Sequence, residues 1–420
     1  MTRHNVNKSP AIRAVMSLAM ATFMFLSSGF GTSVAHAEEK IVSYKYKTSE
    51  PGNISEFKKL AEEGKDLSGK TVIISTNDVH GAIQKYPYVA SLKNFFKNDL
   101  HSDVILVDSG DFSQDKKEKG NPGADSAGCM EKSKGLAGVL AMNAVGYDLA
   151  TLGNHEFEYG FDAYSKNAPE AKFKLINSNI LKEDVSKTLK DKGKKGTLSL
   201  EDFKSIGSEQ YLCDANYLYE SPSSDLKIGF FGLLAPEAST KSSNYKILKD
   251  KALYTCAQNQ ADELRKQGAN IVICLSHLGL EDSVTGNRSI DIYTNLSDGD
   301  SNPVDLILDA HSHTLFFSGA KDEPIMSGEM LLRNVGITII DNESKTIDKR
   351  IIVPLNDLKA NLDPDKGTEE AINVIINEYN PDFFNQATGE ASEAESKSNE
   401  NAGKSDNKKK HKNNYRYSFG

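Results

Sequence analysis

Five short apolar runs recur along the chain, and each is followed at once by a small group of polar residues. The runs are residues 71–76, 104–107, 147–152, 270–276 and 304–309. The polar residues that follow them are, in the same order, Asp78 and His80, Asp111, Asn154 and His155, His277, and His311 and His313. Because helical stretches such as 133–145 and 257–267 separate these strand-like runs, the pattern predicts an α/β domain.

The distribution of histidine indicates that these polar groups share a function. Of nine histidines in the chain, His4 and His36 lie near the N-terminus, His411 lies in a polar tail, and His101 lies in a helix-to-strand loop. The other five all follow apolar runs. A single histidine is more often a hydrogen-bonded structural residue, but five in the same placement disfavour that interpretation. Loops at the carboxyl ends of neighbouring strands converge in open α/β sheets, so we expect these side chains to lie close together.

The N-terminal 37 residues have the composition of an export signal. Basic residues precede an apolar stretch, 14–30, and Ala-His-Ala at 35–37 is a small-x-small cleavage site. The alternative is a membrane anchor. It is disfavoured because serine and glycine interrupt the stretch, which is also shorter than the about 20 residues that a span needs. We therefore expect a periplasmic or secreted protein with no integral membrane span after removal of the signal.

The charge of the chain excludes one class of partner. Residues 1–37 carry three basic and no acidic residues, so their removal takes the formal charge from −9 to −12. A chain this acidic is not expected to bind nucleic acid polymers through a broad electrostatic surface. Any phosphate must instead be bound locally, and we expect metal ions to do this.

The four cysteines do not form a metal or redox motif, because none has CxxC spacing. They are Cys129, Cys213, Cys256 and Cys274. An oxidising compartment permits one or two disulfides, and the sequence leaves all three full pairings open. Cys274 lies within a strand-like run, where we expect a buried free thiol.

Composition divides the chain into five parts. We predict the signal at 1–37, an N-terminal extension at 38–70, the α/β domain at 71–357, a helical linker at 358–385 and a disordered tail at 386–420. A Lys-, Ser- and Gly-rich insertion, 182–210, is expected to form a surface helix-turn-helix. The tail is assigned as disordered because residues 386–414 contain no Val, Ile, Leu, Met or aromatic residue.

The polar groups combine carboxylate, imidazole and amide ligands. This mixture suits Zn²⁺, Mn²⁺, Fe or Co²⁺ without selecting among them. Asp78 and His80 lie two residues apart, so a strand-like exit would point both side chains the same way and let them bind one ion. His311 and His313 have the same spacing. Two ions bridged by a carboxylate can hydrolyse a phosphate ester, and Asp111, preceded by Gly110, is the predicted bridge.

Five motifs in order resemble those of the calcineurin-like metallophosphoesterases. They are Asn-Asp-Val-His-Gly at 77–81, Ser-Gly-Asp at 109–111, Gly-Asn-His-Glu-Phe at 153–157, Ser-His at 276–277 and Ala-His-Ser-His at 310–313. More narrowly, most of residues 71–357 resemble the catalytic domain of bacterial periplasmic 5'-nucleotidases, the group that includes the UDP-sugar hydrolases. The resemblance implies a four-layer αββα sandwich, with two mixed sheets flanked by helices and a di-metal site at strand C-terminal ends.

The resemblance also implies a role for each site residue. One ion would be bound by Asp78, His80, Asp111 and His313, and the other by Asp111, Asn154, His277 and His311. His155 would act on the phosphate, either stabilising the transition state or protonating the leaving oxygen. Glu158 stands where the family usually has the aspartate that orients this histidine, and Ala310 stands where it usually has glycine.

These implications favour a secreted, metal-dependent phosphohydrolase that acts on a small phosphate ester such as a nucleoside 5'-monophosphate. The enzymatic alternatives are a 2',3'-cyclic nucleotide phosphodiesterase and a UDP-sugar pyrophosphatase. A non-catalytic binding protein on the same scaffold is a third alternative. It is suggested by Glu158 and by the family's C-terminal nucleotide-binding domain, which this chain is expected to lack.

Overall fold

Parallel strands account for all five apolar runs of the sequence. The computed structural model describes residues 44–48, 51–116, 126–182, 200–236, 244–299 and 301–384. All of these lie in one compact unit, residues 40–420, whereas a second unit, residues 1–39, lies outside the described residues. The expected signal, residues 183–199 of the insertion and the tail at 386–420 also lie outside them.

The strands are numbered in chain order. Strands β1 to β8 are Tyr46–Lys47, Lys70–Thr76, Asp103–Asp108, Leu149–Thr151, Lys174–Ile176, Ile180–Lys182, Asn216–Glu220 and Lys227–Leu234. Strands β9 to β16 are Tyr245–Ile247, Ile271–His277, Leu306–Leu308, Leu315–Phe316, Ser318–Gly319, Ile325–Gly328, Asn334–Asp341 and Thr346–Pro354. The run predicted at 147–152 is thus a strand only over its central residues, and His277 ends its strand instead of following it.

Helices connect most of the parallel strands. The described α-helices are Ser55–Glu62, Tyr86–Asn94, Met130–Ser133, Leu136–Val145, Phe161–Asn167, Leu200–Lys204, Lys251–Lys266, Ser289–Leu296, Leu355–Asn361 and Lys366–Tyr379. The helix predicted from residue 257 begins at Lys251, and that predicted from residue 133 is divided in two at Lys134 and Gly135, which both have a positive φ. In the described part of the insertion, Leu200–Lys204 is followed by a 3₁₀ turn, Ser208–Gln210.

Two six-stranded mixed sheets form the centre of the fold. The first has the order β16-β15-β2-β3-β4-β5, and the second has the order β12-β14-β11-β10-β8-β7. Strands β2 to β5 are parallel, as are β8, β10, β11 and β14, whereas antiparallel strands lie at the edges. The carboxyl ends of the parallel strands in each sheet therefore lie side by side. The predicted site residues lie at these strand ends or directly after them.

Side chains alternate in direction along the strands, so each sheet packs against the other sheet on one face and against helices on the other, which gives four layers. In β2, Ile73 packs into the core between the two sheets, while Val72 and Ile74 face the opposite way, toward helices. In β8, Phe230 faces the first sheet, and Phe231 packs with helix Lys251–Lys266. Successive strand residues point to opposite faces, so a strand that is buried on both faces must be apolar throughout. The predicted four-layer αββα sandwich is confirmed.

The segment predicted as a linker, 358–385, contains a complete helix that packs on the helices beside the first sheet. Asp365 caps the N-terminus of helix Lys366–Tyr379, and its carboxylate accepts a hydrogen bond from the Thr368 backbone N–H at 2.8 Å. Its residues Ile372 and Ile376 are buried in the same core as helix Leu136–Val145. The helix therefore adds to the stability of the domain.

Cys274 is a buried free thiol, as the sequence predicted. Cys129, Cys213 and Cys256 are free thiols too, so none of the disulfides that the sequence left open is formed. Burial raises the pKa of the Cys256 thiol, which keeps it protonated at neutral pH. Among the described residues, none of the helices has the length and apolar character that crossing a bilayer requires.

Replacing Phe230 with alanine should lower the free energy of unfolding by about 3–5 kcal/mol, because the ring is fully buried between the sheets. The matched control is Val374→Ala, at a side chain that is 65% exposed, which should change it by less than about 0.5 kcal/mol. Chemical denaturation followed by circular dichroism measures both. A loss below about 1 kcal/mol for Phe230→Ala would contradict the packing of the two sheets described above.

Candidate metal centre

Both sheets contribute side chains to one site at the carboxyl ends of their parallel strands. From the first sheet come Asp78 and His80 after β2, Asp111 after β3, and Asn154 after β4. From the second come His277 at the end of β10, and His311 and His313 after β11. The structure brings all seven predicted ligand residues together.

Four of the residues form a first group that could hold a cation. Asp78, His80, Asp111 and His313 each offer a ligand atom, and these atoms lie within 4.8 Å of one another. Nε2 of His80 is 3.0 Å from Nε2 of His313 and 3.7 Å from Oδ2 of Asp111. Two imidazole nitrogens and two carboxylates at this separation are a donor set that suits a divalent transition metal.

A second group shares Asp111 with the first. It contains Asp111, His277 and His311, again with ligand atoms within 4.8 Å of one another. Oδ1 of Asn154 is 3.0 Å from Nδ1 of His311, so the amide oxygen faces the same space. Asp111 is therefore placed where a bridging carboxylate would have to lie.

The hydrogen bonds of His277 show that the second group fits a cation. Its Nδ1 lies 2.7 Å from the Ser109 carbonyl oxygen, which can only accept, so Nδ1 carries a hydrogen. In a neutral ring, Nε2 then presents a lone pair to Oδ2 of Asp111 at 3.1 Å. Burial opposes a charged ring, but the Asp111 carboxylate outweighs it and raises the pKa of His277 to about 10. The space between His277 and Asp111 therefore favours a positive charge, and either a proton or a divalent cation can supply it.

The two carboxylates remain ionised although they are buried. Burial alone would raise the pKa of Asp78, but the neighbouring His313 and His277 hold it below its usual range. The pKa of Asp111 is likewise well below its usual range, because His277 and His155 outweigh the effect of burial. Burial dominates at His80 and lowers its pKa, which keeps this ring neutral and able to bind a metal.

The backbone of the site differs from the strand-like exit that the sequence suggested. Five site residues have φ values in the left-handed region: Asp78 at 47°, His80 at 45°, Asp111 at 63°, His311 at 73° and His313 at 51°. The side chains of Asp78 and His80 do meet, but through left-handed turns and not through extended backbone. Hydrogen bonds between the loops hold this geometry, from the Asp78 N–H to the Gly110 oxygen and from the His80 N–H to the Asp111 oxygen.

Gly110 allows the loops of the site to approach one another closely. Its φ is 94°, and a Cβ at this position would lie 2.5 Å from the Gly153 nitrogen and 2.9 Å from Nδ1 of His277. A side chain would push apart the loops that follow β3, β4 and β10. Ala310, at the position where the family usually has glycine, is fully buried.

His155 stands beside the site with Glu158 next to it. Nδ1 of His155 donates to Oε2 of Glu158 at 2.9 Å, and Nε2 is 4.0 Å from Oδ2 of Asp111. Burial opposes a charged ring, but Asp111 and Glu158 outweigh it and raise the pKa of His155. The hydrogen bond from His155 lowers the pKa of Glu158 in turn. Glutamate therefore makes the same kind of pair that the usual aspartate would make.

Glu156 is a site residue to which the sequence analysis gave no role. Its buried carboxylate accepts hydrogen bonds from the backbone N–H groups of Asp111 and Phe112 at 2.9 Å, Ser113 at 3.1 Å and Gly153 at 2.6 Å. It thereby joins the loop after β3 to the loop after β4. The position was within a quoted motif, but the sequence does not show that three of its four partners are backbone groups more than 40 residues away.

Asn77, Glu281 and Lys116 were also given no role in advance. Asn77 donates to Oδ2 of Asp78 at 2.7 Å and fixes that carboxylate. Oε1 of Glu281, which is buried, lies 3.9 Å from Nε2 of His311. Nζ of Lys116 lies 2.8 Å from Nδ1 of His313. Of these contacts, the hydrogen bond from Asn77 orients a predicted ligand from outside the ligand groups, a role that metal sites commonly require.

The profile of the family described as calcineurin-like phosphoesterase matches residues 71–315. The chain therefore belongs to this family. The match spans all the strands that carry the site residues, and the two sheets with their shared group of Asp and His residues are those of this class of fold.

Individual proteins show the same relationship. The chain is 28% identical over 279 residues to the 2',3'-cyclic-nucleotide 2'-phosphodiesterase/3'-nucleotidase of Haemophilus influenzae, and 24% identical over 277 residues to a snake venom 5'-nucleotidase of Gloydius brevicauda. These matches cover 61% and 60% of the chain but 38% of each relative, so the chain spans about two fifths of their length. The crystal structure of the calcineurin-like phosphoesterase YfkN from Bacillus subtilis superposes with a TM-score of 0.52 at 17% identity, covering 73% of this chain and 96% of that one.

Replacing Glu156 with glutamine should weaken Mn²⁺ binding by about 10- to 100-fold, because the neutral amide cannot accept from all four backbone N–H groups. Glu62→Gln, at an exposed position, is the matched control and should leave the affinity unchanged. Isothermal titration calorimetry of both variants measures the difference. Equal Mn²⁺ affinities for Glu156→Gln and wild type would show that the Glu156 contacts do not position the ligands.

Proposed function

We propose that this protein is an exported, metal-dependent phosphohydrolase with 5'-nucleotidase-like activity on phosphate monoesters. The observation that carries the proposal is the pair of ligand groups that share Asp111, with His155 at their edge. One divalent ion would be held by Asp78, His80, Asp111 and His313, and the other by Asp111, Asn154, His277 and His311. Export rests on the sequence of residues 1–37.

The residues of the chain account for most of the required chemistry. When bound, two divalent cations neutralise charge on the phosphoryl oxygens and activate water. Asp111 holds the two ligand groups together, and the loops around it keep their geometry through Glu156. Because Nε2 of His155 is 4.0 Å from Oδ2 of Asp111, it would lie beside a phosphoryl group bound at the two ligand groups. With Glu158 holding its Nδ1–H, its Nε2 would carry a proton to the leaving oxygen.

A second candidate is hydrolysis of 2',3'-cyclic nucleotides. The similarity to the Haemophilus influenzae protein, whose name combines this activity with a 3'-nucleotidase, favours it over a UDP-sugar pyrophosphatase. Both candidates would use the same site. A panel of AMP, 3'-AMP, 2',3'-cyclic AMP and UDP-glucose, analysed by chromatography of the products, distinguishes them.

Replacing Asp111 with asparagine should abolish phosphate release from AMP and weaken Mn²⁺ binding by about 100-fold or more, because the bridging charge is lost. The matched control is Asp162→Asn, at an exposed position outside the site. Phosphate release by purified protein with Mn²⁺ or Zn²⁺ measures the effect, with EDTA as the metal-free reference. If Asp111→Asn hydrolysed AMP at the wild-type rate, the assigned site would be wrong.

Replacing His155 with alanine should lower kcat for AMP by about 10²- to 10⁴-fold while Mn²⁺ binding is retained, because His155 acts on the ester and is not a ligand. His101→Ala, at an exposed loop position, is the matched control and should retain full activity. Steady-state kinetics and calorimetry together separate the two roles. A loss of Mn²⁺ affinity as large as the loss of kcat would instead place His155 among the ligands.

A further inference from the structure

Lys116 lies at the edge of the candidate metal centre, on the loop that carries Asp111. Its Nζ is 2.8 Å from Nδ1 of His313, whose side chain is 18% exposed. An ammonium group can only donate hydrogen bonds, so Nδ1 of His313 is the acceptor. A neutral His313 ring that accepts at Nδ1 carries its hydrogen on Nε2.

This arrangement is incompatible with a cation at Nε2 of His313. Nε2 is the atom that faces the other ligands, at 3.4 Å from Oδ1 of Asp78 and 3.0 Å from Nε2 of His80. A neutral imidazole that binds a metal through Nε2 carries its hydrogen on Nδ1, where it can no longer accept from Lys116. The ammonium group must therefore leave Nδ1 when the first ligand group holds its ion.

The backbone around Lys116 limits where the ammonium can go. The Lys116 N–H donates to Oγ of Ser126, and the Lys116 carbonyl accepts from the Ser126 N–H, both at 3.1 Å. The preceding carboxylate, Asp115, accepts from backbone N–H groups of residues 129–131 at 2.7–3.3 Å. The backbone of Lys116 is thus fixed, so the released ammonium group stays within a side-chain length of the ligand groups.

We propose that Lys116 is a substrate-binding residue whose ammonium group moves from His313 to a phosphoryl oxygen once the ions are bound. The inference rests on the proposed function and refines its substrate class. A positive charge beside the phosphoryl group attracts a dianionic monoester more strongly than a monoanionic cyclic diester. Lys116 therefore selects for monoesters among the esters that the same ions could bind.

Three variants of the full chain test the role of Lys116. Lys116→Met removes the charge and keeps most of the length, Lys116→Arg keeps the charge, and Lys132→Met changes an exposed lysine as the matched control. With Mn²⁺ present, calorimetry measures the affinity for orthophosphate and for Mn²⁺. Kinetics measures kcat and KM for AMP and for 2',3'-cyclic AMP.

For Lys116→Met we expect the orthophosphate affinity to fall, and the KM for AMP to rise, by about tenfold or more. The KM for 2',3'-cyclic AMP and both kcat values should change less, and the Mn²⁺ affinity should not fall. Lys116→Arg should recover most of the orthophosphate affinity, and Lys132→Met should match wild type.

The proposal is overturned if Lys116→Met binds orthophosphate as wild type does, or if wild type with Mn²⁺ does not bind it. A parallel fall in Mn²⁺ affinity and in Tm would also overturn it, because Lys116 would then be structural. If wild type binds orthophosphate through Lys116 but hydrolyses none of the esters, the proposed function fails and the assignment of Lys116 stands.

Discussion

The rest of the site depends on the burial of two negative charges, those of Asp78 and Asp111, which are 0% and 1% exposed. An ionised carboxylate inside a protein costs several kcal/mol unless positive charge or hydrogen bonds compensate it. His313 and His277 compensate the charge of Asp78 in part, His277 and His155 compensate that of Asp111, and both carboxylates keep their charged form. Because the two negative charges are compensated only in part, the pocket favours the binding of cations. The arrangement of the loops follows from that requirement.

The loops meet this requirement at a cost in backbone conformation. Left-handed φ values at non-glycine residues are unfavourable, and they persist only where the surroundings leave no alternative. Here the buried carboxylate of Glu156 holds the loops after β3 and β4, and Asp78 accepts from the His311 N–H, which joins the first sheet to the second. The same contacts that stabilise the backbone thus direct the ligand atoms into one space.

The sequence predicted the strands and the convergence of the ligands, because buried parallel strands need continuous apolar runs and their loops share one edge. It did not predict the left-handed turns. The two-residue spacing of Asp78 and His80 led to the correct proximity through the wrong backbone conformation. Glu156 and Lys116 could not be assigned either, since three of the four partners of Glu156 are distant in the chain, and His313 is 197 residues from Lys116. Pairings of this kind are set by tertiary packing and leave no local pattern.

The division of the ligands between the two sheets has a thermodynamic consequence. Neither sheet alone carries all the ligands for either ion. The ions therefore cross-link the two sheets and bind only when the sheets are packed together. Ligands that bind only the folded state stabilise it by mass action, by about 2.7 kcal/mol at a concentration 100 times the Kd. The lifetime of the folded protein would accordingly follow the supply of transition metals in its surroundings.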